Sequence, residues 1–266
     1  MRLCSIASGS SGNCIYVGSG QTHVLVDVGI SCKRIEEGLR KAELTGRDLA
    51  AIFITHEHSD HIQGLGVLAR KYGIPMYATK GTIDGIVNGA RNLGEYNKEL
   101  FREISVDEDL QLGDLTVHPF RISHDANEPC AYRFECDGSK AAVATDMGTF
   151  TPYIVENLQG LNAILLEANH DIRMLQAGPY TYALKQRILS DRGHLSNDNS
   201  GLLINKILHD DLKHILLGHL SKENNMPELA FETVKFEINA ADTPYRAEML
   251  DLRVASRSEA GEVLNF

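Results

Sequence analysis

The chain has 266 residues, 43% hydrophobic and 23% charged, with a formal net charge of −10. This is the composition of a folded globular protein long enough to bury its own core; its acidity, with no lysine- or arginine-rich run, excludes the electrostatic footprint of a non-specific duplex binder. Five cysteines without a C-x-x-C pair, no apolar leader in MRLCSIASGS and no bilayer-length apolar run predict free thiols, a reducing cytoplasm and no membrane association.

The first third alternates strand and helix. CIYVGSG (14–20) and HVLVDVG (23–29) read as strands around a Ser19–Gly20–Gln21 turn, and CKRIEEGLRKAEL as a helix with Ile35, Leu39 and Ala42 on one face. AIFIT (51–55) is a short buried strand, and HIQGLGVLARKYG (61–73) is predicted as one helix closed by Gly73 before Pro75. A strand, PMYAT, and a helix over TIDGIVNGARN (82–92) follow. The middle is β-rich: LTVHPFRIS, then AYRFECD and KAAVATD about a DGS turn. Alternation resumes with helix YIVENL, strand AILLEA, helices YTYALKQRIL and GLLINKIL, strand HILLGH, helix MPELAFETVKFEIN and strand AEMLDLRVAS. No linker divides the chain, so residues 1–266 are expected to form a single domain.

The two halves echo each other. VLVDVG precedes AIFITHEH, and AVATDMG precedes AILLEANH. Each half thus carries an apolar strand ending Asp-x-Gly, a helical stretch, and an apolar strand ending in polar ligand types. Two such halves predict an α/β fold, a four-layer αββα sandwich whose polar strand ends meet along one edge.

The chemistry is concentrated in THEHSDH (55–61). In an extended segment residues i and i+2 share a side, so His56 and His58 can grip one ion. A turn into a helix near Asp60 would bring Asp60 and His61 back to the same pocket, and four such ligands suit two neighbouring ions, the arrangement used for metal-assisted hydrolysis. Glu57 alternates with the ligands and is expected to point away. His124, Asp146 and His219 each stand at the polar end of an apolar run, where α/β sheets place their sites, and are further ligand candidates. SGSSGN (8–13) could present Ser10, Ser11 and Asn13 to a substrate phosphate, or simply form a glycine turn. His170, in EANHD, is either near substrate or a satisfied buried histidine. His23, His118, His209 and His214 read as structural or exposed.

With THEHSDH followed by His124, Asp146 and His219, the chain resembles the metallo-β-lactamase superfamily over nearly its whole length. SIASGSSGNCIYV, LLEANHD and HLSN (194–197) are similar to its YycJ/WalJ-like branch, proposed to be DNA exonucleases. The resemblance implies that His56, His58 and His124 hold a first divalent ion and Asp60, His61 and His219 a second. Asp146 would bridge them, and Asp27 would support the ligand loop from behind. The ions would be zinc or manganese, with iron a further option. It also implies a nuclease acting on single-stranded or end-exposed DNA, with Asp60 orienting the attacking water and His194 serving as general acid or phosphate clamp. Asn197 would meet substrate, unless it or Ser196 merely caps the following helix. The same ligands would equally serve a hydrolase of a small ester, thioester, lactone or cyclic phosphate, and a non-catalytic regulatory partner is a third reading. An open groove with a few cationic residues at its rim would favour the nuclease. The sequence sets no oligomeric state.

Overall fold

The computed structural model describes residues 1–89 and 92–266, and among them fourteen strands form two seven-stranded sheets. The first is built from β1 (Arg2–Ala7), β2 (Cys14–Gly18), β3 (His23–Val26), β4 (Leu49–Phe53), β5 (Met76–Thr79) and β6 (Phe101–Ile104). The second contains β7 (Leu110–Leu112), β8 (Leu115–Arg121), β9 (Cys130–Cys136), β10 (Ser139–Ala144), β11 (Ala163–Glu167), β12 (His214–Gly218) and β13 (Asp251–Val254). A short β14 (Leu264–Asn265) returns to pair with β1. The strand orders are β14-β1-β2-β3-β4-β5-β6 and β13-β12-β11-β10-β9-β8-β7.

The echo read in the sequence is an echo of topology. β2 and β3 are antiparallel, after which β3, β4, β5 and β6 run parallel. β9 and β10 are antiparallel, after which β10, β11, β12 and β13 run parallel. Parallel strands covered on both faces need no polar alternation, and AILLE in β11 is buried throughout.

The helices are α1 (Cys32–Lys41), α2 (Ser59–Ile62), α3 (Leu65–Tyr72), α4 (Lys80–Gly89), α5 (Pro152–Asn157), α6 (Ile172–Ala177), α7 (Tyr182–Leu189), α8 (Asn197–Ile207) and α9 (Pro227–Ala240). Ile35 and Leu39 of α1 and Leu65 and Leu68 of α3 pack on Leu25 and Ile52, the outer face of the first sheet. Leu203 of α8 and Val234 of α9 pack on Ile164 and Leu217, the outer face of the second. Val24, Val26 and Phe53 meet Val117, Phe134 and Val143 between the sheets. Three apolar layers between four structural ones make the αββα sandwich. Among the described residues no helix is long and apolar enough to cross a membrane.

Several boundaries differ from expectation. The helix expected over 61–73 breaks after Ile62 and restarts at Leu65, because the Gly64 N–H donates to the Val28 carbonyl at 2.7 Å and the Asp60 carbonyl accepts from Asn13 N–H at 2.8 Å instead of from Gly64. The helix expected over 82–92 begins at Lys80 and is described to Gly89, with Ala90 and Arg91 outside the described residues. The late strand expected over 247–256 opens with a 3₁₀ turn, Ala247–Met249. β1, β6, β7, β14 and α6 had no counterpart in the sequence reading.

Candidate metal centre

The ends of β3, β4, β10, β11 and β12 deliver polar side chains to one seam. Asp27, Asp146 and His219, just beyond β3, β10 and β12, have left-handed backbone, with φ of 59°, 62° and 53°. That conformation costs about 1–3 kcal/mol per non-glycine residue and clusters at functional sites. Close approach adds a second constraint: a Cβ on Gly29 would lie 1.6 Å from the Asp60 carbonyl oxygen, so only glycine lets the loop after β3 press against the ligand turn.

The structure brings His56, His58, Asp60, His61, His124, Asp146 and His219 together. His56, His58 and His124 form one group of donor atoms within 4.8 Å of one another, and Asp60, His61 and His219 another. His58 Nδ1 stands 3.0 Å from His56 Nε2 and 3.4 Å from His124 Nε2. His61 Nε2 stands 3.5 Å from Asp60 Oδ2 and 3.3 Å from Asp146 Oδ2. Asp146 touches both groups, with Oδ1 3.7 Å from His124 Nε2 and Oδ2 3.1 Å from His219 Nδ1.

Hydrogen bonds behind these donors fix their direction. Thr55 Oγ1 donates to Asp27 Oδ2 at 2.9 Å and lies 3.0 Å from His56 Nδ1. His61 Nδ1 donates to the same Asp27 oxygen at 2.7 Å, and His124 Nδ1 donates to the Gly193 carbonyl at 3.2 Å. The network therefore assigns the outer ring nitrogens as donors and leaves Nε2 of His56, His61 and His124 facing inward.

The electrostatics are those of a cation site. Against the cost of burial, Asp27, Asp146 and Asp60 hold the His61 pKa well above the ordinary histidine value, and Asp146 does the same for His219. Burial and His61 drive His56 well below it. Also against burial, neighbouring imidazoles hold Asp60 and Asp146 below the ordinary carboxylate range. Asp146 Oδ2 and His219 Nδ1 lie 3.1 Å apart without hydrogen-bonding geometry, and neither has another hydrogen-bond partner. Orphaned buried donors, and donor separations of 3.0–3.7 Å close to the edge of about 3.4 Å expected for tetrahedral ligands with bonds of about 2.1 Å, fit divalent-metal binding.

Glu167 was missed in the sequence. It ends the apolar strand β11, the same position that singled out Asp146 and His219, and it is fully buried. Its Oε2 accepts from the Met147 and Leu195 backbone N–H groups at 2.8 and 3.1 Å, and its Oε1 accepts from His194 Nδ1 at 2.7 Å. Against burial, His194 holds the Glu167 pKa to about 2; burial opposes charge on His194, yet Glu167 raises its pKa above the ordinary value. His194 thereby stands beside the cluster, its Nδ1 3.7 Å from Asp146 Oδ1. Asp125 is a second omission: its Oδ1 lies 3.4 Å from His124 Nε2, while its other oxygen pairs with Arg187.

Three residues offered as substrate contacts, Asn13, Asn197 and His170, are buried. Asn13 is buried and fully engaged: Oδ1 accepts from Gly9 N–H at 2.9 Å, and Nδ2 lies 3.1 Å from His61 Nε2 and 3.5 Å from Asp60 Oδ2. It braces the ligand turn. Asn197 neither meets solvent nor caps α8; it exchanges amide hydrogen bonds with Asn225 at 3.0 and 2.8 Å, and Ser196 is the cap. His170 is buried, its pKa lowered by burial to about 4, and neither ring nitrogen is hydrogen-bonded. Ser10 and Ser11 remain exposed. Ser10 lies where two depressions meet: an open groove of about 640 Å³ along His58, Asp60 and Gln63, and a pocket of about 160 Å³ beside His194. Glu57 accepts from Asn127 N–H at 2.9 Å rather than joining the ligands.

Fold and donor set together define a metallo-β-lactamase superfamily protein. The family model of the beta-lactamase superfamily domain matches residues 22–209, and the chain belongs to that superfamily. Exodeoxyribonuclease YycJ of Bacillus anthracis is 44% identical over 230 residues, 86% of each chain. Exodeoxyribonuclease WalJ of Streptococcus pneumoniae serotype 2 is 42% identical over 237 residues, 89% of this chain and 88% of the relative. The solved structure of Zn²⁺-bound PqqB from Methylobacterium extorquens, 17% identical, shares the fold with a TM-score of 0.71 across 100% of both chains.

Proposed function

We propose that this chain, a single domain over residues 1–266, is a metal-dependent phosphodiesterase that removes nucleotides from single-stranded or end-exposed DNA. His56, His58 and His124 would hold one divalent cation and Asp60, His61 and His219 a second, with Asp146 serving both; zinc or manganese suits this mixture of imidazole and carboxylate. When bound, such cations polarise the phosphodiester and acidify water for the attack.

The chain's own residues do the rest. Asp27 holds His61 directly and His56 through Thr55, so the ligand turn is set before substrate arrives. Asp60, with 23% of its side chain exposed where Asp146 has 3%, is the ligand carboxylate open to the groove and orients the attacking water. His194 has Nδ1 committed to Glu167, so Nε2 is the atom that hands a proton to the leaving oxygen.

The observation that carries a polymeric substrate is the open groove alongside the cluster, supported by relatives named exodeoxyribonucleases. A rim cation stands on the His194 side: Arg192, exposed beside the small pocket, bonds the His124 carbonyl at 3.2 Å. The test is hydrolysis of 5′-labelled single-stranded DNA and RNA, a generic phosphodiester and a thioester, with zinc or manganese, beside Asp60→Ala. Stepwise release of nucleotides from DNA by the wild type alone is expected. Turnover of the thioester alone would overturn the assignment.

A further inference from the structure

The two depressions that meet at Ser10 are unequal, and the inequality bears on how a strand lies across the cluster. The groove past His58 and Asp60 is about 640 Å³ and open, within the range of about 300–1,000 Å³ that ordinary ligand sites occupy. The pocket past His194 is about 160 Å³, well below that range and on the scale of a single ring system. Its outer wall comes from Tyr180, just before α7, and from Leu184, Arg187 and Ile188 of α7, facing His194 and Ser10.

That wall is fixed although no residue of α7 is buried. Arg187 pairs with Asp125, whose neighbour is the ligand candidate His124. His194 N–H donates to the Ile188 carbonyl at 3.0 Å, and Ser123 Oγ donates to the Asp191 carbonyl at 2.7 Å. The pairing matters chemically too. Asp125 neutralises Arg187, so the wall offers a phosphate little net charge; it offers a base one aromatic ring and two aliphatic side chains.

We propose that the pocket beside His194 receives the terminal base of the strand, with Tyr180 as its stacking platform and α7 as an end wall that confines cleavage to strand ends. This rests on the nuclease assignment above and deepens it. A phosphodiester lying over the cluster then has polymer on the groove side and a single nucleotide on the α7 side. Stacking on an aromatic side chain is indifferent to which base is presented, as an exonuclease that works through any sequence requires.

The experiment is a cycle between protein and substrate, using the full-length, metal-loaded enzyme. Wild type, Tyr180→Ala and Tyr180→Phe are compared on single-stranded DNA with ordinary ends, on the same strands made abasic at one terminal nucleotide or the other, on circular single-stranded DNA, and on bis(p-nitrophenyl) phosphate. Tyr180→Ala should raise KM on ordinary ends about tenfold, the scale of one lost base stack. It should lose nothing further on the abasic end that wild type itself disfavours. Tyr180→Phe should behave as wild type, all three proteins should carry the same metal content by elemental analysis, and circular DNA should stay intact. An equal loss on abasic and ordinary ends, no loss at all, or cleavage of the circle at the linear rate would overturn the terminal pocket. Wild type that hydrolyses the nitrophenyl diester but no DNA would instead overturn the nuclease assignment on which it stands.

Discussion

Glu167→Gln tests proton delivery at the centre. The carboxylate makes three bonds: Oε2 accepts from Met147 and Leu195 N–H at 2.8 and 3.1 Å, and Oε1 accepts from His194 Nδ1 at 2.7 Å; Oε1 also lies 3.3 Å from His219 Nδ1, so metal content is measured beside activity. A glutamine has the same shape, and its amide oxygen can keep both backbone bonds. Its NH₂ group then faces His194 Nδ1, which must give up its proton to accept from it. A buried hydrogen bond to a charged partner is worth about 1.5–3 kcal/mol, so the protonated, acid form of His194 loses about that much support, and catalysis that needs that form falls about 10- to 100-fold at 1.4 kcal/mol per decade.

The assay compares two leaving groups. DNA departs as a basic alkoxide that needs a proton, whereas p-nitrophenolate leaves without one. Glu167→Gln should slow DNA cleavage by the stated factor and leave bis(p-nitrophenyl) phosphate nearly unchanged, at unaltered metal content. Equal slowing of both substrates would mean that Glu167 merely holds the Asp146–Met147 turn in shape. Undiminished DNA cleavage would remove His194 as the acid.

Other residues give sharper readouts in binding and stability. His61→Ala should reduce bound metal from two equivalents to one by elemental analysis; two equivalents retained would contradict the ligand assignment. Asp27→Ala strands the buried Thr55 N–H, which donates to Asp27 Oδ1 at 2.9 Å, and should cost about 1–3 kcal/mol in denaturant unfolding of the metal-free protein. The same variant should weaken zinc about 10- to 100-fold in a competition titration. Gly29→Ala forces a Cβ to 1.6 Å from the Asp60 carbonyl oxygen, a backbone atom that no side-chain rotation relieves. Its Tm and activity should both fall, and wild-type melting would refute the close packing of the two loops.

What was legible in the sequence was whatever depended on neighbours along the chain. THEHSDH declares itself because its spacing and its position after an apolar strand are local. His124, Asp146 and His219 follow from one rule, polar residues closing apolar strands, and the rule applied once more would have found Glu167. Strand β1 escaped because RLCSIA is buried on both faces from Leu3 onward and shows no alternation. β6 and β7 are short, half-exposed strands. The alternatives at Asn13, His170 and Asn197 stayed open because only tertiary structure shows whether a polar side chain faces solvent or a remote partner. Asn197 pairs with Asn225, 28 positions away, and nothing around either residue announces the other.

The repeated halves also account for how one carboxylate comes to serve two groups of ligands. β3 and β10 occupy matching places in their sheets and end in aspartates of the same left-handed backbone, Asp27 and Asp146. In the first half the aspartate closes the turn itself: Thr55 N–H takes Oδ1, and Thr55 Oγ1 and His61 Nδ1 take Oδ2, so Asp27 has no oxygen left for a metal. In the second half the neighbouring strand supplies the closing carboxylate. Glu167, at the end of β11, accepts from Met147 N–H and takes over the task that Asp27 performs for β4. Asp146 is thereby released, with Oδ1 toward His124 and His194 and Oδ2 toward His61 and His219. Glu167 is thus needed twice, once to orient the proton donor and once to free the bridging carboxylate. That is why its isosteric replacement, which preserves the backbone bonds, can distinguish the two roles where truncation to alanine cannot.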